Sequence, residues 1–153
     1  MQSWYRSRAL YETVMKLIRG GRFEEALKLA GDIPDLPVRS KAFNEITVEM
    51  AKMGGDYSEA LKKAIETALE IHGDGSTKSL MALAFDFLEM GKPEGALRIA
   101  RYITDISNRS KVQAEVALAL ARRGDLEGAM KLINDILDED VKTWAMSRLA
   151  SEV

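Results

Sequence analysis

The chain has 153 residues, 46% of them apolar and 30% charged, with 22 basic and 24 acidic side chains and a net charge of −2. Such a balance suits a globular domain with a sizeable core and excludes a disordered segment. It also supplies no global drive toward nucleic acid or an anionic membrane surface. The absence of cysteine removes disulfide frameworks and thiolate chemistry and suits a reducing interior. The opening Met1–Glu12 stretch has no apolar export core, and no apolar run approaches the roughly 18 residues of a membrane span. A soluble, cytoplasmic chain with no membrane partner is expected. Plentiful Lys, Arg and Glu beside scarce Asn and Gln is a usage shared with thermophile proteins.

Taken in order, the chain reads as helix after helix. Apolar residues recur at spacings of three and four, as in Ala42, Phe43, Ile46, Met50 and Ala51, or Val112, Val116, Leu118, Ala119 and Leu120. That period predicts amphipathic helices, and no run alternates strictly enough for a strand. The first helix stops at Gly21, the third at Gly54, the fifth at Gly91 and the seventh at Gly124. Glycine just past a helix end accepts the left-handed conformation without a Cβ clash. After each stop a new helix opens: Pro93 suits a first helical turn, and Asp56 with Glu59 reads as a capping-box variant. Ala26, Ala60, Ala96 and Ala129 are small where the two helices of a hairpin must approach. Asp35, Asp105 and Asp138 then end the second helices or cap the next first helix, and Pro34 and Pro37 enforce the first of these breaks.

Two phrases recur. The corner phrase is Gly21-Arg-Phe-Glu-Glu-Ala-Leu27, Gly54-Gly-Asp-Tyr-Ser-Glu-Ala-Leu61, Gly91-Lys-Pro-Glu-Gly-Ala-Leu97 and Gly124-Asp-Leu-Glu-Gly-Ala-Met130. The second is Arg6-Ser-Arg-Ala9, Arg39-Ser-Lys-Ala42, Ser76-Thr-Lys-Ser79, Arg109-Ser-Lys-Val112 and Lys142-Thr-Trp-Ala145. Its starts at 6, 39, 76, 109 and 142 are 33, 37, 33 and 33 residues apart, the mark of stacked supersecondary units. One domain, 1–153, is expected, with units 6–38, 39–75, 76–108 and 109–141 and a half unit, 142–153.

The corner phrase at this spacing resembles the tetratricopeptide repeat, which pairs two helices in about 34 residues and turns on Gly-Asp-Tyr followed by Glu-Ala-Leu. Gly55-Asp56-Tyr57-Ser58-Glu59-Ala60-Leu61 matches closely and Gly21–Leu27 nearly so. The resemblance covers residues 6–153. The first helices depart from the family's Trp-x-x-Leu-Gly-x-x-Tyr, holding Leu10, Thr13, Val14 and Leu17, or Phe43, Ile46, Thr47 and Met50, and the closing Pro is missing, so the chain is tetratricopeptide-like. The resemblance implies an all-α, right-handed α-α superhelix of about four helix pairs with a solvating C-terminal helix. It further implies a concave groove that binds a protein or peptide segment. Carried onto this chain, the groove rows fall on Arg8, Lys41, Lys78 and Lys111; on Tyr11 and Asn44; and on Val48, Phe85 and Leu118. Basic rims over an apolar floor would suit a peptide with acidic groups and apolar anchors.

The basic phrase has a second reading. Arg39 or Lys41 could pair with Asp32 or Asp35 of the preceding unit, and Arg109 or Lys111 with Asp105, fixing register between units. Both readings stay open in the sequence. Trp4 at one end and Trp144 at the other mark a route to self-association as a homodimer, unless the terminal helices pack their apolar faces inward. Catalysis finds little support. The single histidine, His72, lacks a convergent ligand set or an orienting partner. Asp74-Gly-Ser-Thr lacks the spacing and lysine of a phosphate loop, and Asp135, Asp138, Glu139 and Asp140 lack the spacing of a calcium loop. No catalytic residue, metal or cofactor is expected, and near-neutral charge without aromatic stacking platforms argues against nucleic acid.

Overall fold

The computed structural model of the chain describes residues 2–152. Nine helices and no strand occur among the described residues: α1 Gln2–Arg19, α2 Phe23–Ala30, α3 Leu36–Lys52, α4 Ser58–Glu70, α5 Gly75–Glu89, α6 Pro93–Ala100, α7 Ile106–Arg122, α8 Leu126–Asn134 and α9 Glu139–Glu152. The protein is therefore all-α. Its packing divides into two compact units, Met1–Ser79 and Leu80–Val153, the division falling inside α5.

The four corners are built alike. Gly21, Gly54 and Gly91 have φ of +74° and Gly124 of +95°, the left-handed region. Around them the N–H groups of Arg22, Gly55, Lys92 and Asp125 donate to the carbonyls of Leu17, Met50, Phe87 and Leu120, at 2.9–3.0 Å. The glycine N–H groups themselves donate to Ile18, Ala51, Leu88 and Ala121. This paired pattern satisfies carbonyls that a helix end otherwise leaves open, and it requires glycine at the turning residue. Helix starts follow the predicted caps at Asp35 and Asp105, whose carboxylates accept from Val38 N–H and Asn108 N–H, and at Asp138, which accepts from Val141 N–H. Asp56 acts differently from the expected capping box. Its carboxylate accepts from both the N–H and the hydroxyl of Ser58, closing a tight turn before α4.

In unit Met1–Ser79, α1 pairs with α2 and α3 with α4, while α1 also packs on α3. In unit Leu80–Val153, α7 packs on α6, α8 and α9. The hairpin alanines Ala26, Ala60, Ala96 and Ala129 are fully buried, as close helix approach demands. Ala145 and Leu149 of α9 are buried with Ala114, Ala117, Leu118, Ala129, Ile133 and Ile136, so one face of α9 is packed inward.

In three of the five basic phrases the second residue is a buried serine with a structural task. Ser7 Oγ accepts from Asp35 N–H at 3.0 Å, and Ser110 Oγ accepts from Asp138 N–H at 3.2 Å. Ser40 Oγ lies 2.5 Å from Ser79 Oγ. Each bond ties a first helix to the start of the next unit and stabilises by about 0.5–1.5 kcal/mol.

Candidate functional site

Each unit carries a cleft between successive first helices at the same repeat register. In the first unit a cleft of about 310 Å³ lies between α1 and α3, lined by Trp4, Arg8, Tyr11, Val38 and Lys41. In the second a cleft of about 410 Å³ is lined by Phe85 of α5, Lys111 and Glu115 of α7, and Asp140, Val141 and Trp144 of α9. Arg8 and Lys111 share the third position of the basic phrase, Lys41 and Trp144 share the third position one unit on, and Val38 and Val141 each precede that phrase. A further cleft, of mixed charge, lies along the second helices beside Glu24, Lys28, Glu59 and Lys63.

The basic phrase divides its labour. Three of its first-position residues fasten the chain at or just beyond the preceding helix: Arg39 Nε donates to Ile33 O at 2.8 Å, Arg109 Nη1 to Ile103 O at 3.4 Å, both three residues past a helix end, and Lys142 Nζ to Asn134 O, the last residue of α8, at 3.3 Å. These bonds replace the expected ion pairs with Asp32, Asp35 and Asp105. At Asn134 the cation meets the open carbonyls of a helix C-terminus and the negative end of its dipole together. The third-position residues other than Lys78 turn toward the clefts. Lys41 Nζ sits 5.4 Å from the centre of the Tyr11 ring, and Arg8 lies 5.7 Å from that of Trp4 while holding Glu12 at 3.3 Å. Lys78 pairs loosely with Asp74 at 3.5 Å, both side chains exposed, and lines neither cleft. Burial raises the Tyr11 hydroxyl above its ordinary pKa, and the nearby Glu45 carboxylate adds to the effect.

Three residues carried over as groove-lining, Asn44, Val48 and Leu118, are buried instead. Asn44 is 8% exposed, and its Nδ2 donates to the backbone and hydroxyl oxygens of Ser79, both at 3.1 Å. Leu118 is 1% exposed and belongs to the α7–α9 core; Val48 and Ala114 are buried as well. A first helix here buries faces against its own partner and the neighbouring first helix, which draws these rows inward. Phe85, 36% exposed, does line a cleft, and Tyr11 is half-buried beside Lys41. Trp4 and Trp144, assigned from sequence to the chain ends, are cleft walls instead of isolated patches. Val38, Glu115 and Val141 were not singled out in the sequence, and Asp140 was weighed there only as part of a calcium loop; the repeat register just before the basic phrase is the signal that would have found the valines.

Among the described residues no group of three His, Asp or Glu side chains converges to hold a metal ion, and His72 is exposed between α4 and α5. No helix is long and apolar enough to cross a membrane among those residues. The chain matches no family model, no curated protein and no solved structure.

Proposed function

We propose that the protein is a non-enzymatic scaffold whose tetratricopeptide-like repeats form an α-α solenoid and bind a protein or peptide segment along the clefts of the first helices. The observation that carries the reading is the recurrence, at one repeat register in both units, of an open cleft that sets a third-position cation against aromatic and valine walls. Rigid helix pairs hold these side chains in place, so the receptor loses little ordering entropy on binding. In the first unit, Arg8 and Lys41 over Trp4, Tyr11 and Val38 suit an acidic residue next to an apolar anchor. The test is selection of a random peptide library on the folded protein, followed by calorimetry of the enriched peptide. Enrichment of Asp or Glu beside an apolar residue is expected, with affinity falling at least about ten-fold in Arg8→Glu/Lys41→Glu. No enrichment over a bare support would refute the reading.

A second reading, self-association through the terminal helices, is favoured by the exposure of Trp4, Tyr5, Trp144 and Met146. Sedimentation equilibrium decides it: a mass that rises with concentration in the absence of peptide supports it, and a monomer throughout removes it.

A further inference from the structure

We infer that the cleft of the second unit takes a basic side chain of its peptide, a lysine or an arginine, and so selects the charge opposite to that suited to the first unit's cleft. The inference rests on reading these clefts as peptide sites and adds the charge that each one selects.

The two clefts share a register but not a charge. Arg8 and Lys41 are the charged residues lining the first. In the second, Trp144 stands where Lys41 stands in the first, and Glu115 and Asp140 join Lys111. One lysine therefore faces two carboxylates. Among the described residues, neither Glu115 nor Asp140 lies within ion-pair distance of a cation, though the Glu115 carboxylate acts on Arg122 through a longer-range attraction. The walls between them are apolar and aromatic, with Phe85 36% and Trp144 44% exposed and Val141 half-buried.

This combination suits a side chain with an aliphatic stem and a cationic head. The stem covers Phe85 and Val141, and the head reaches the carboxylates and the indole face, whose quadrupole attracts cations. The indole already shows that preference: Arg148 sits 5.9 Å from the Trp144 ring centre and 3.7 Å from Glu152, a carboxylate it shares with Arg122 at 2.7 Å. An acidic side chain would meet two carboxylates against low-dielectric walls. A purely apolar one would strip water from both without replacing it. Asp140 also has a structural use, since an acidic residue in the first turn of α9 complements the helix dipole. Glu115 faces the same cleft from α7, so the carboxylate pair is not explained by that helix end.

The test uses the full chain carrying Trp4→Phe, which leaves Trp144 as the single tryptophan. Blocked peptides Leu-Lys-Leu, Leu-Gln-Leu and Leu-Glu-Leu are titrated while the Trp144 fluorescence and its indole N–H resonance are followed. The lysine peptide is expected to bind tightest, by about five-fold or more over the glutamate peptide. Glu115→Gln/Asp140→Asn, folded by circular dichroism, is expected to erase that preference. Equal or tighter binding of the glutamate or glutamine peptide would overturn the inference while leaving a peptide site in place, as would a preference that survives the double substitution. If no peptide perturbs Trp144, the reading of this cleft as a peptide site falls together with the inference.

Discussion

Gly95 and Gly128 occupy the same place in their repeats, four residues beyond Gly91 and Gly124, yet alanine should destabilise only at the first. A Cβ at Gly95 would lie 2.4 Å from Phe87 Cδ2 and 2.9 Å from Cε2. Phe87 is fully buried, so the ring has no solvent into which to retreat. Overpacking of this kind costs about 1–3 kcal/mol, while alanine in place of glycine favours the helix by about 1 kcal/mol. With the overpacking cost toward its upper end against a ring that cannot retreat, Gly95→Ala should lose roughly 1–2 kcal/mol, a fall of about 2–8 °C in thermal midpoint for a chain of this size. At Gly128 the Cβ would meet the Asp125 carboxylate, 2.3 Å from Oδ2. Asp125 is exposed and can swing away. It would give up its cap bond to Gly128 N–H, worth about 1 kcal/mol, against a similar helix gain, so Gly128→Ala should be nearly neutral. Urea and thermal unfolding of both variants, with Phe87→Leu added to each, make the comparison. Rescue of Gly95→Ala by Phe87→Leu is expected. A Gly95→Ala protein as stable as wild type would refute the close-approach argument.

Three other outcomes are expected. Ser110→Ala removes the acceptor of Asp138 N–H and should cost about 1–2 kcal/mol in chemical denaturation; no loss would mean that water replaces the hydroxyl. Gly91→Ala forces a side chain to φ +74° and should cost about 1–2 kcal/mol by the same assay. Glu94 and Glu152 are each held below the ordinary carboxylate pKa, chiefly by hydrogen bonds to Arg123 and Arg122 respectively. A lowered folded pKa means a contribution present above the unfolded value and lost as pH falls through the folded one. The stability gap between wild type and Glu94→Gln/Glu152→Gln should thus close as pH drops below about 4, and a gap independent of pH would contradict the ion pairs.

Much of the local structure was legible in the sequence. Gly21, Gly54, Gly91 and Gly124 could be placed because only glycine takes the left-handed turn cheaply, and Asp35 and Asp105 because a cap reaches only three residues along the chain. Asp56 was legible as a helix-start signal but not in its geometry, since Ser58 supplies both a hydroxyl and an N–H close by. Asn44 and Leu118 misled because a repeat pattern identifies a face without saying how many neighbours that face meets. Asn44 is drawn inward by Ser79, 35 residues away in the chain.

The sequence by itself determined the helices, their four glycine corners and the spacing of the units, all properties of forces that act within a turn or two of helix. The tertiary structure alone decided which basic residue of each phrase faces a cleft. Arg39 and Arg109 found carbonyls in the connection before them, while Arg8, Lys41 and Lys111 line the clefts. It also decided the charge of each cleft, because Trp4 and Lys41, and Phe85, Glu115 and Asp140, come to line one cleft only when helices distant in sequence pack side by side.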